Sequence, residues 1–569
     1  MKRRILSGRG VESLTLALGV LTLAGCGDTA PPGGFSASRG ATKSGDGESK
    51  VVADAKVQDP DILIAILRNV INLMETAATR PGGANIAIAT ENLNQYFQFK
   101  GTEPAEFDLA PDVRAFLDEQ FRGTRFHPDG FETPGFGVAD ARHMEDCLLY
   151  RSVATRVAGT GETLERVRRL FDWTIHNVQL IPEGSLIPTQ LVQQGIEQVP
   201  MRPYDVLSRG QAVEVPGSPW AERAWVFMVL CRQINVDVGL ITYEVPDQEA
   251  PYVWTCVALV DGVPYLFDTR IGLAIPGPDG QGVATFEEAA TVPIVLDRLD
   301  LHGEGIPYST HQADLADSVK IVFNGGQRYL ATCMKLLQRD LSGDFRLILY
   351  RDPVEQRKAF ASAFGDRLES ADLWGLPLEV EDRLFTDPAF VRSAQIPNAM
   401  FDPQLPLLRG RLLHLRGDLA EAIQVYVGFR LKEVIEIGGE PVRLHPAVHQ
   451  ALDVHSSYFL ALCQLEKGNI DQAEFLFGQT LKLAPPPEPG NVVSLYRFGA
   501  YANLGLLAEK DGDYGLATYC YGRPNPTPQQ HGNRVRARNL VWRAPFASTT
   551  PREVPQESVG WDRVVSPSD

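Results

Sequence analysis

The sequence has few cysteines and no paired-cysteine motif. Among its 569 residues there are seven cysteines, with no Cys-x-x-Cys pair and no histidine at metal-ligand spacing. This absence excludes the usual zinc modules and redox motifs. Apart from Cys26 the cysteines are scattered in apolar patterns, where a reduced thiol behaves as a small hydrophobe. We therefore expect structural thiols rather than disulfides, and no metal site, at Cys147, Cys231, Cys256, Cys333, Cys463 and Cys520.

Positive charge is scarce relative to negative charge. Lysine and arginine total 54 and aspartate and glutamate 71, which gives a formal net charge of −17 at pH 7. Because an acidic surface repels phosphate, this balance excludes nucleic acid as a partner and an electrostatic grip on anionic lipid. Apolar residues at 44% and charged residues at 22% are typical of a globular protein. We expect several folded domains and no cofactor.

Long apolar runs are also missing, except for one short run near the N-terminus. Three basic residues follow Met1, and the mainly apolar residues 14–24 lead into Leu23-Ala24-Gly25-Cys26. The run is about half of the ~20 residues that a membrane-spanning helix needs. This arrangement resembles the export signal and lipobox of bacterial lipoproteins.

The lipoprotein resemblance implies cleavage before Cys26 and a diacylglycerol on its thiol, which makes the membrane a partner. Each buried acyl CH₂ contributes ~0.8 kcal/mol, and stable anchoring needs more than one chain, which diacylation supplies. Gly27 stands where an aspartate would favour the inner membrane, so the outer membrane is favoured. We expect a cell-envelope protein with a signal peptide at 1–25 and a flexible tether at 26–58.

The most informative block lies near the middle of the chain. Residues 221–233 are apolar nearly all round, which predicts a buried helix, and three strand-like runs follow at 236–245, 252–260 and 264–271. Asp261-Gly262 between the last two predicts a tight hairpin. A buried helix before an antiparallel sheet resembles the transglutaminase-like (papain-like) superfamily. The resemblance covers about 145–275 and includes Phe171-Asp-Trp-Thr-Ile in the preceding helix.

In that superfamily a helix N-terminal cysteine, a histidine on a strand and an aspartate on the next strand form the catalytic set. Asp268 fits the aspartate, and Trp254 fits the tryptophan that follows the histidine. Trp220 stands at the cysteine position and Tyr252 at the histidine position. A tyrosine is a poor general base at neutral pH. The resemblance therefore implies a degenerate site with no catalytic residue.

Two uses of this degenerate site are open. Trp220 can plug the cleft, or Trp220, Tyr252, Trp254 and Asp268 can hold a peptide by stacking and hydrogen bonds. The competing hypothesis is a hydrolase or acyltransferase that acts on envelope peptides through a non-standard nucleophile. Cys256 is the candidate, since it lies on the same strand face as Tyr252. Cys231 is expected in the core, and Ser218 as a turn residue.

A helical repeat marks the last third of the chain. A small residue, an alanine and an aromatic residue recur in register: Gly410, Ala422 and Tyr426; Ala461, Ala473 and Phe477; Gly505, Ala517 and Tyr521. Glycine followed by aspartate or asparagine makes each intervening turn. The pattern resembles tetratricopeptide (TPR) repeats, spaced more widely than the usual ~34 residues, with a generic helical bundle as the alternative. The resemblance implies that the aromatic fills the groove to the next repeat and that a protein or peptide is bound.

The remaining segments carry no motif. We expect a helix over 327–341, a strand over 345–350, a solvated helix end at Arg534, Arg536 and Arg538, and no ligand role for His176, His302 and His311. The fold class predicted is α+β followed by an all-α helical-repeat domain. The predicted divisions are a signal peptide (1–25), a tether (26–58), a helical segment (59–140), a transglutaminase-like domain (141–290), a connecting region (291–400), TPR-like repeats (401–540) and a disordered tail (541–569). The function expected is protein or peptide binding at the cell envelope.

Overall fold

The structure is a computed structural model that describes residues 60–77, 84–182, 185, 199–213, 221–245, 250–399, 407–437, 440–487 and 491–543. Cys26, Ser218 and Trp220 lie outside the described residues, as do the expected signal peptide, the tether and most of the expected tail. In the part of the chain that is described, no helix has the length and apolarity needed to cross a bilayer.

The N-terminal part of the described chain is helical. Its helices are α1 (Pro60–Ala77), α2 (Ala84–Lys100), α3 (Pro111–Gln120), α4 (Val138–Ala158), α5 (Thr163–Asn177), α6 (Pro203–Arg209) and α7 (Ala221–Gln233). Helix α7 has the predicted bounds, and its side chains are buried from Ala221 to Arg232. Such all-round burial is what an apolar helix without a polar face requires. Helices α4, α5 and α6 pack against it.

A six-stranded sheet lies on α7. The strands within the described residues are β1 (Gln179–Ile181), β2 (Gln211–Val213), β3 (Val238–Tyr243), β4 (Tyr252–Val260), β5 (Val263–Asp268), β6 (Leu273–Ala274), β7 (Val319–Asn324), β8 (Leu368–Trp374), β9 (Val434–Ile437) and β10 (Glu440–Arg443). The sheet order is β6-β5-β4-β3-β7-β8, antiparallel except for the parallel pair β7–β8. The predicted hairpin is confirmed, because Asp261 and Gly262 have φ of 52° and 78° between β4 and β5, as a type I′ turn needs.

The division predicted at residue 290 is wrong, because the sheet continues across it. Strand β7 pairs with β3, and β8 pairs with β7. Helices α8 (Phe286–Thr291), α9 (Ile294–Asp297), α10 (Gln327–Leu330), α11 (Thr332–Asp340), α12 (Pro353–Phe364), α13 (Gly375–Thr386) and α14 (Pro388–Ala399) connect and cover these strands. The mixed helix-and-sheet class is confirmed, whereas the region 291–400 belongs to the sheet domain.

The strand predicted over 345–350 is also wrong. Glutamine side chains, not a neighbouring strand, satisfy the backbone of this segment. Gln338 Oε1 accepts from the N–H groups of Leu349 at 2.6 Å and Tyr350 at 2.9 Å. Gln233 bonds both the N–H and the carbonyl of Ile348. Buried backbone groups need partners but do not need a ladder to supply them.

The last third consists of helical hairpins. These are α15 (Leu407–Arg416) with α16 (Leu419–Phe429), α17 (Pro446–Glu466) with α18 (Ile470–Leu483), and α19 (Tyr496–Asp511) with α20 (Tyr514–Tyr521), followed by α21 (Gln529–Arg543). A Cβ on Gly410 would lie 2.9 Å from Tyr426, and one on Gly505 would lie 2.6 Å from Tyr521. The aromatic residue therefore first contacts the small residue of its own hairpin. Tyr426 also stacks on Phe459 of the next hairpin, with ring centroids 5.9 Å apart.

The first helix of each hairpin faces the sheet domain. Arg411 of α15 donates to the Asn177 side chain at 3.1 Å and to the Leu207 carbonyl at 3.0 Å. Asn503 of α19 donates to the His176 carbonyl at 3.2 Å. Glu466 of α17 receives hydrogen bonds from α4 and α5. The inner face of the hairpins is thus packed on α4, α5 and α6 of the same chain.

Candidate functional site

Asp268, the predicted remnant aspartate, lies buried at the end of β5. The Tyr308 hydroxyl donates to its Oδ2 at 2.6 Å. The backbone N–H groups of Arg270 and Ile271 donate to Oδ1 at 2.9 and 3.2 Å. The Arg270 guanidinium stands 3.6 Å from Oδ2 and forms an ion pair with it. The carboxylate is therefore engaged by donors from its own turn and by Tyr308.

Trp254 belongs to the same hydrogen-bond chain. Its indole Nε1 donates to the Tyr308 hydroxyl at 3.0 Å, and its side chain is fully buried. Burial raises the pKa of Tyr308 well above its usual value, so the hydroxyl stays protonated and can donate to Asp268. Tyr308 thus supplies the side-chain hydroxyl that donates to Asp268. It lies beyond the predicted transglutaminase-like segment, which is why the sequence motif did not include it.

Tyr252 takes a different position from Trp254 and Asp268. It is half-buried, and its hydroxyl accepts a hydrogen bond from Arg270 at 2.7 Å. Arg270 also donates to the exposed Ser309. Of the predicted cleft residues that the structure describes, Tyr252 alone reaches solvent, because Trp254 and Asp268 are interior groups. A stacking surface built from both aromatics is not formed.

The thiols near this site are buried. Cys256 lies 3.7 Å from Thr269 Oγ1, and burial raises its pKa, as it raises that of Cys231 in α7. All six cysteines that the structure describes are free and buried, in agreement with the expected structural thiols. Desolvation disfavours the thiolate, which is the nucleophilic form. Cys256 therefore lacks both the access and the ionisation that a nucleophile needs.

Helix α21 lies against this region, which the sequence did not predict. Gln529 at its start accepts from Arg223 in the first turn of α7 at 2.9 Å, and Arg223 also donates to the Thr269 carbonyl at 3.3 Å. Burial lowers the pKa of Arg223 to about 9. A Cβ on Gly532 would overlap the carbonyl oxygen of Ile271, so only glycine permits this close approach.

The arginines of α21 are contacts to the sheet domain and not a solvated helix end. Arg536 donates to the Gly272 carbonyl at 3.2 Å, and Arg538 donates to carbonyls of residues 298 and 300. Arg534 pairs with Glu304. His531 donates from Nε2 to the Leu299 carbonyl oxygen at 2.7 Å, and so it is not directed at a thiol. The three arginines stand at alternate positions in the sequence, but the sheet-domain residues that they contact lie more than 200 positions earlier in the chain, so the sequence did not reveal these contacts.

A separate cavity of about 180 Å³ lies away from Asp268. Its residues come from α4, α6, α10, α13 and α14 and the turns beside them: Ala139, Arg142, His143, Asp146, Met201, Arg202, Asp205, Gln327, Arg328, Glu381, Leu384, Phe385, Val391, Ala394 and Gln395. Helices α4, α6 and α10 supply most of the charged groups, whereas α13 and α14 supply an apolar wall. The sequence did not predict this site because its segments are far apart in the chain.

The carboxyl groups of this cavity titrate abnormally. Burial raises the pKa of Asp146 to about 7, and the same cause raises that of Glu381 to about 7. Glu381 accepts a hydrogen bond from the Gln327 N–H at 2.6 Å. Burial lowers the pKa of His143 to about 4, which keeps its imidazole neutral. Perturbed carboxyls in a cavity are typical of ligand sites.

Comparison with models of protein families, with curated proteins and with solved structures finds no match to this chain. Among the described residues, no group of histidine, cysteine, aspartate and glutamate side chains has the arrangement to hold a metal ion. His302 and His311 each stand beside the Asp300 carboxylate, and His176 contacts Asn503. Function is therefore argued from the two sites themselves.

Proposed function

We propose that this protein is a lipid-anchored, non-catalytic binding protein of the cell envelope. In this proposal residues 141–290 begin a degenerate transglutaminase-like domain, and the hairpins are TPR-like repeats. The single observation that carries the proposal is the state of Asp268, which is bound by Tyr308 instead of a histidine and lies near no accessible thiol among the described residues. A catalytic set of that superfamily would need both missing groups.

The binding surface that we propose is on the outside of the hairpins. Their inner face is packed on the sheet domain, as the bonds of Arg411 and Asn503 illustrate. Large apolar side chains are exposed instead at the end of α16 and on the β9–β10 hairpin: Val427, Leu431, Val434 and Val442. Val434 and Val442 lie on opposite faces of this hairpin, because Val442 pairs with Ile435 and Val434 with Arg443. Apolar groups exposed in one region typically mark a protein-interaction surface. The proposed partner is therefore a protein or peptide with a complementary apolar segment.

Photo-crosslinking in the envelope tests this surface. A photoreactive amino acid at position 427 or 434 is expected to give one defined adduct with a partner. The matched control is position 263, where an exposed valine stands on the β4–β5 hairpin of the sheet domain. Equal adducts at all three positions, or none at 427 and 434, contradict the proposed surface.

The proposed anchor is tested separately. The Cys26→Ser variant is expected to lose incorporation of labelled palmitate and to leave the membrane fraction, because no acyl chain then holds it. Cys463→Ser is the matched control, since that thiol is buried in α17. Membrane retention of Cys26→Ser would contradict lipid anchoring. Sucrose-gradient separation of the two membranes tests the preference for the outer one.

A further inference from the structure

The cavity between α4, α6, α13 and α14 has one charged side and one apolar side. The charged side is formed by Arg142, Asp146, Arg202 and Glu381. The apolar side is formed by Leu384, Phe385, Val391 and Ala394. Its volume of about 180 Å³ is below the ~300–1,000 Å³ of sites for drug-sized ligands. The occupant must therefore be small and must carry both charge and an apolar group.

Most of the guanidinium groups at the cavity already have partners. Arg202 pairs with Asp205 at 3.2 Å and reaches Asp146 only at 3.5 Å. Arg328 pairs with Asp140 at 3.0 Å, outside the lining. Arg142 is exposed at the rim and forms no ion pair within the described ranges. Its electrostatic neighbour on α4 is the Glu145 carboxyl, which is not within ion-pair distance. The Arg142 guanidinium thus stands at the mouth of the cavity without an ion-pair partner among the described residues.

The carboxyl groups are less fully compensated than the guanidiniums. Asp146 is only 8% exposed, and its Arg202 contact is longer than an ordinary hydrogen bond. Glu381 is held by a backbone N–H and forms no ion pair in the described part of the chain. Buried carboxyl groups without a close cationic partner complement an ammonium group, which supplies a positive charge and three hydrogen-bond donors.

We propose that this cavity binds a small zwitterion, an α-amino acid with an apolar side chain. The ligand ammonium lies between Asp146 and Glu381, its carboxylate pairs with Arg142, and its side chain contacts the wall of Phe385. This site is independent of the apolar surface on the hairpins, so either can fail without the other.

Titration of the two carboxyls gives a second readout. Their pKa values near 7 fall when an ammonium binds, so binding releases protons and strengthens as pH rises through 7. The charged or titratable groups that face the pair are Asp140, Arg142, His143, Glu145, Cys147, Tyr150, Arg202, Tyr204, Asp205, Arg328 and Tyr329. Of these, His143 is neutral over this range because burial lowers its pKa to about 4. Burial raises the pKa values of Cys147, Tyr150, Tyr204 and Tyr329, so these groups stay protonated near pH 7. Burial also raises the pKa of Glu145, so the pH dependence reports the buried carboxyls of this region, and the Glu381→Gln variant shows the share of Glu381.

Calorimetric titration of the full mature chain in detergent tests the proposal with three probes. L-leucine carries both charges, isobutylamine only the cation and isovalerate only the anion. We expect L-leucine to bind one to one and each single-charge probe to bind at least about tenfold more weakly, as expected for loss of one charged hydrogen-bond set. Isovalerate or isobutylamine binding as tightly as L-leucine overturns the zwitterion assignment. Absence of L-leucine binding at millimolar concentration overturns the site.

Variants assign the site to its residues. Arg142→Met and Glu381→Gln are each expected to weaken L-leucine binding about tenfold or more. Glu379→Gln is the matched control, because Glu379 is on the same helix and pairs with Arg125 at the surface. Arg142 is exposed, so its variant keeps the test decisive if Glu381→Gln does not fold. Unchanged affinity in Arg142→Met, with L-leucine bound, contradicts the proposed orientation.

Discussion

At the scale of single residues, the interior of this protein shows how a buried carboxyl group is supplied with hydrogen-bond donors. Asp268 is fully buried and accepts from the Tyr308 hydroxyl and two backbone N–H groups. Tyr308 in turn accepts from Trp254. Burial of a carboxyl group raises the free energy of the folded state less when donors form hydrogen bonds to its oxygens, and these donors do so at Asp268. The carboxylate therefore supports the fold of the turn after β5.

Removing the Tyr308 hydroxyl tests that role. Tyr308→Phe leaves a buried carboxylate oxygen and the Trp254 N–H without their partner, and we expect a loss of about 1–3 kcal/mol of unfolding free energy. Urea unfolding followed by circular dichroism measures it. Tyr252→Phe is the control, since its half-buried hydroxyl accepts only from Arg270, and its loss should be smaller. Equal stability of Tyr308→Phe and the wild type would contradict this account of Asp268.

Buried histidines make stability depend on pH. Burial lowers the pKa of His455 from 6.5 to about 4, so between these values the unfolded chain holds a proton that the folded chain does not. The unfolding free energy is therefore not reduced by this residue well above pH 6.5. It falls as the pH is lowered, by about 2 kcal/mol at pH 5. We expect His455→Gln to lose less stability than the wild type between about pH 7.5 and 5.

The control for this pH effect is His302→Gln. His302 has an exposed imidazole near Asp300, so its replacement shows how much of the change in slope comes from removing any histidine rather than a buried one. A His455→Gln variant whose slope equals the wild-type slope in urea unfolding would show that this histidine does not contribute.

At the scale of elements, the sequence correctly predicted those helices and turns that are stabilised by contacts between residues close together in the chain. Helix α7 and the hairpin turn at Asp261 follow directly from apolar burial and backbone conformation, and both were predicted. The partners of β3 and β7 come from distant segments, so the continuation of the sheet beyond residue 290 could not be read locally. The strand expected over 345–350 failed because glutamines on α7 and α11 replaced the ladder.

The candidate site around Asp268 was also predicted only where local sequence patterns mark its residues. The positions of Tyr252, Trp254 and Asp268 were marked by a motif, but the partner Tyr308 and the covering helix α21 depend on long-range packing. The charged cavity draws on segments from residue 139 to residue 395, and none of them carries a local signature. Buried cysteines were predictable because each lies in an apolar pattern.

Docking of α21 is testable through Gly532. Gly532→Ala must move the helix away from the Ile271 carbonyl, and we expect a loss of about 1–3 kcal/mol in thermal or urea unfolding. Gly515→Ala is the matched control in α20, where a Cβ meets only the Asp513 side chain at 3.6 Å. That control should be neutral or stabilising by up to about 1 kcal/mol. Loss in both variants alike would show that close approach at Gly532 is not the cause.

At the scale of the whole molecule, the sheet domain and the hairpins share buried polar contacts. The Glu466 carboxylate on α17 accepts from Arg156 at 2.5 Å, Trp173 at 2.7 Å and His414 at 2.9 Å. Charge and hydrogen bonds from His414, Arg156 and Trp173 outweigh burial and lower the pKa of Glu466 to about 2. One carboxylate thus joins α4, α5 and α15, so we expect both regions to unfold together.

Glu466→Gln tests this coupling. It removes the counter-charge of the partly exposed Arg156 and weakens the hydrogen bonds from Trp173 and His414. We expect a cost of about 1–3 kcal/mol, with circular dichroism and tryptophan fluorescence shifting in one transition. Glu433→Gln is the control, because its pair with Arg443 is exposed and should contribute less than about 1 kcal/mol. Two separated transitions in the wild type would contradict a single cooperative unit.

The central claim is that the sheet domain has no working thiol nucleophile. Labelling of the native full-length protein with a thiol-directed probe at neutral pH, followed by peptide mass spectrometry, tests it most directly. Because Cys256 and the other five described thiols are buried with raised pKa values, we predict that none of these six is labelled until the chain is unfolded, when all six react. Rapid stoichiometric labelling of one cysteine in the folded protein, lost when that cysteine is changed to serine, would contradict the account.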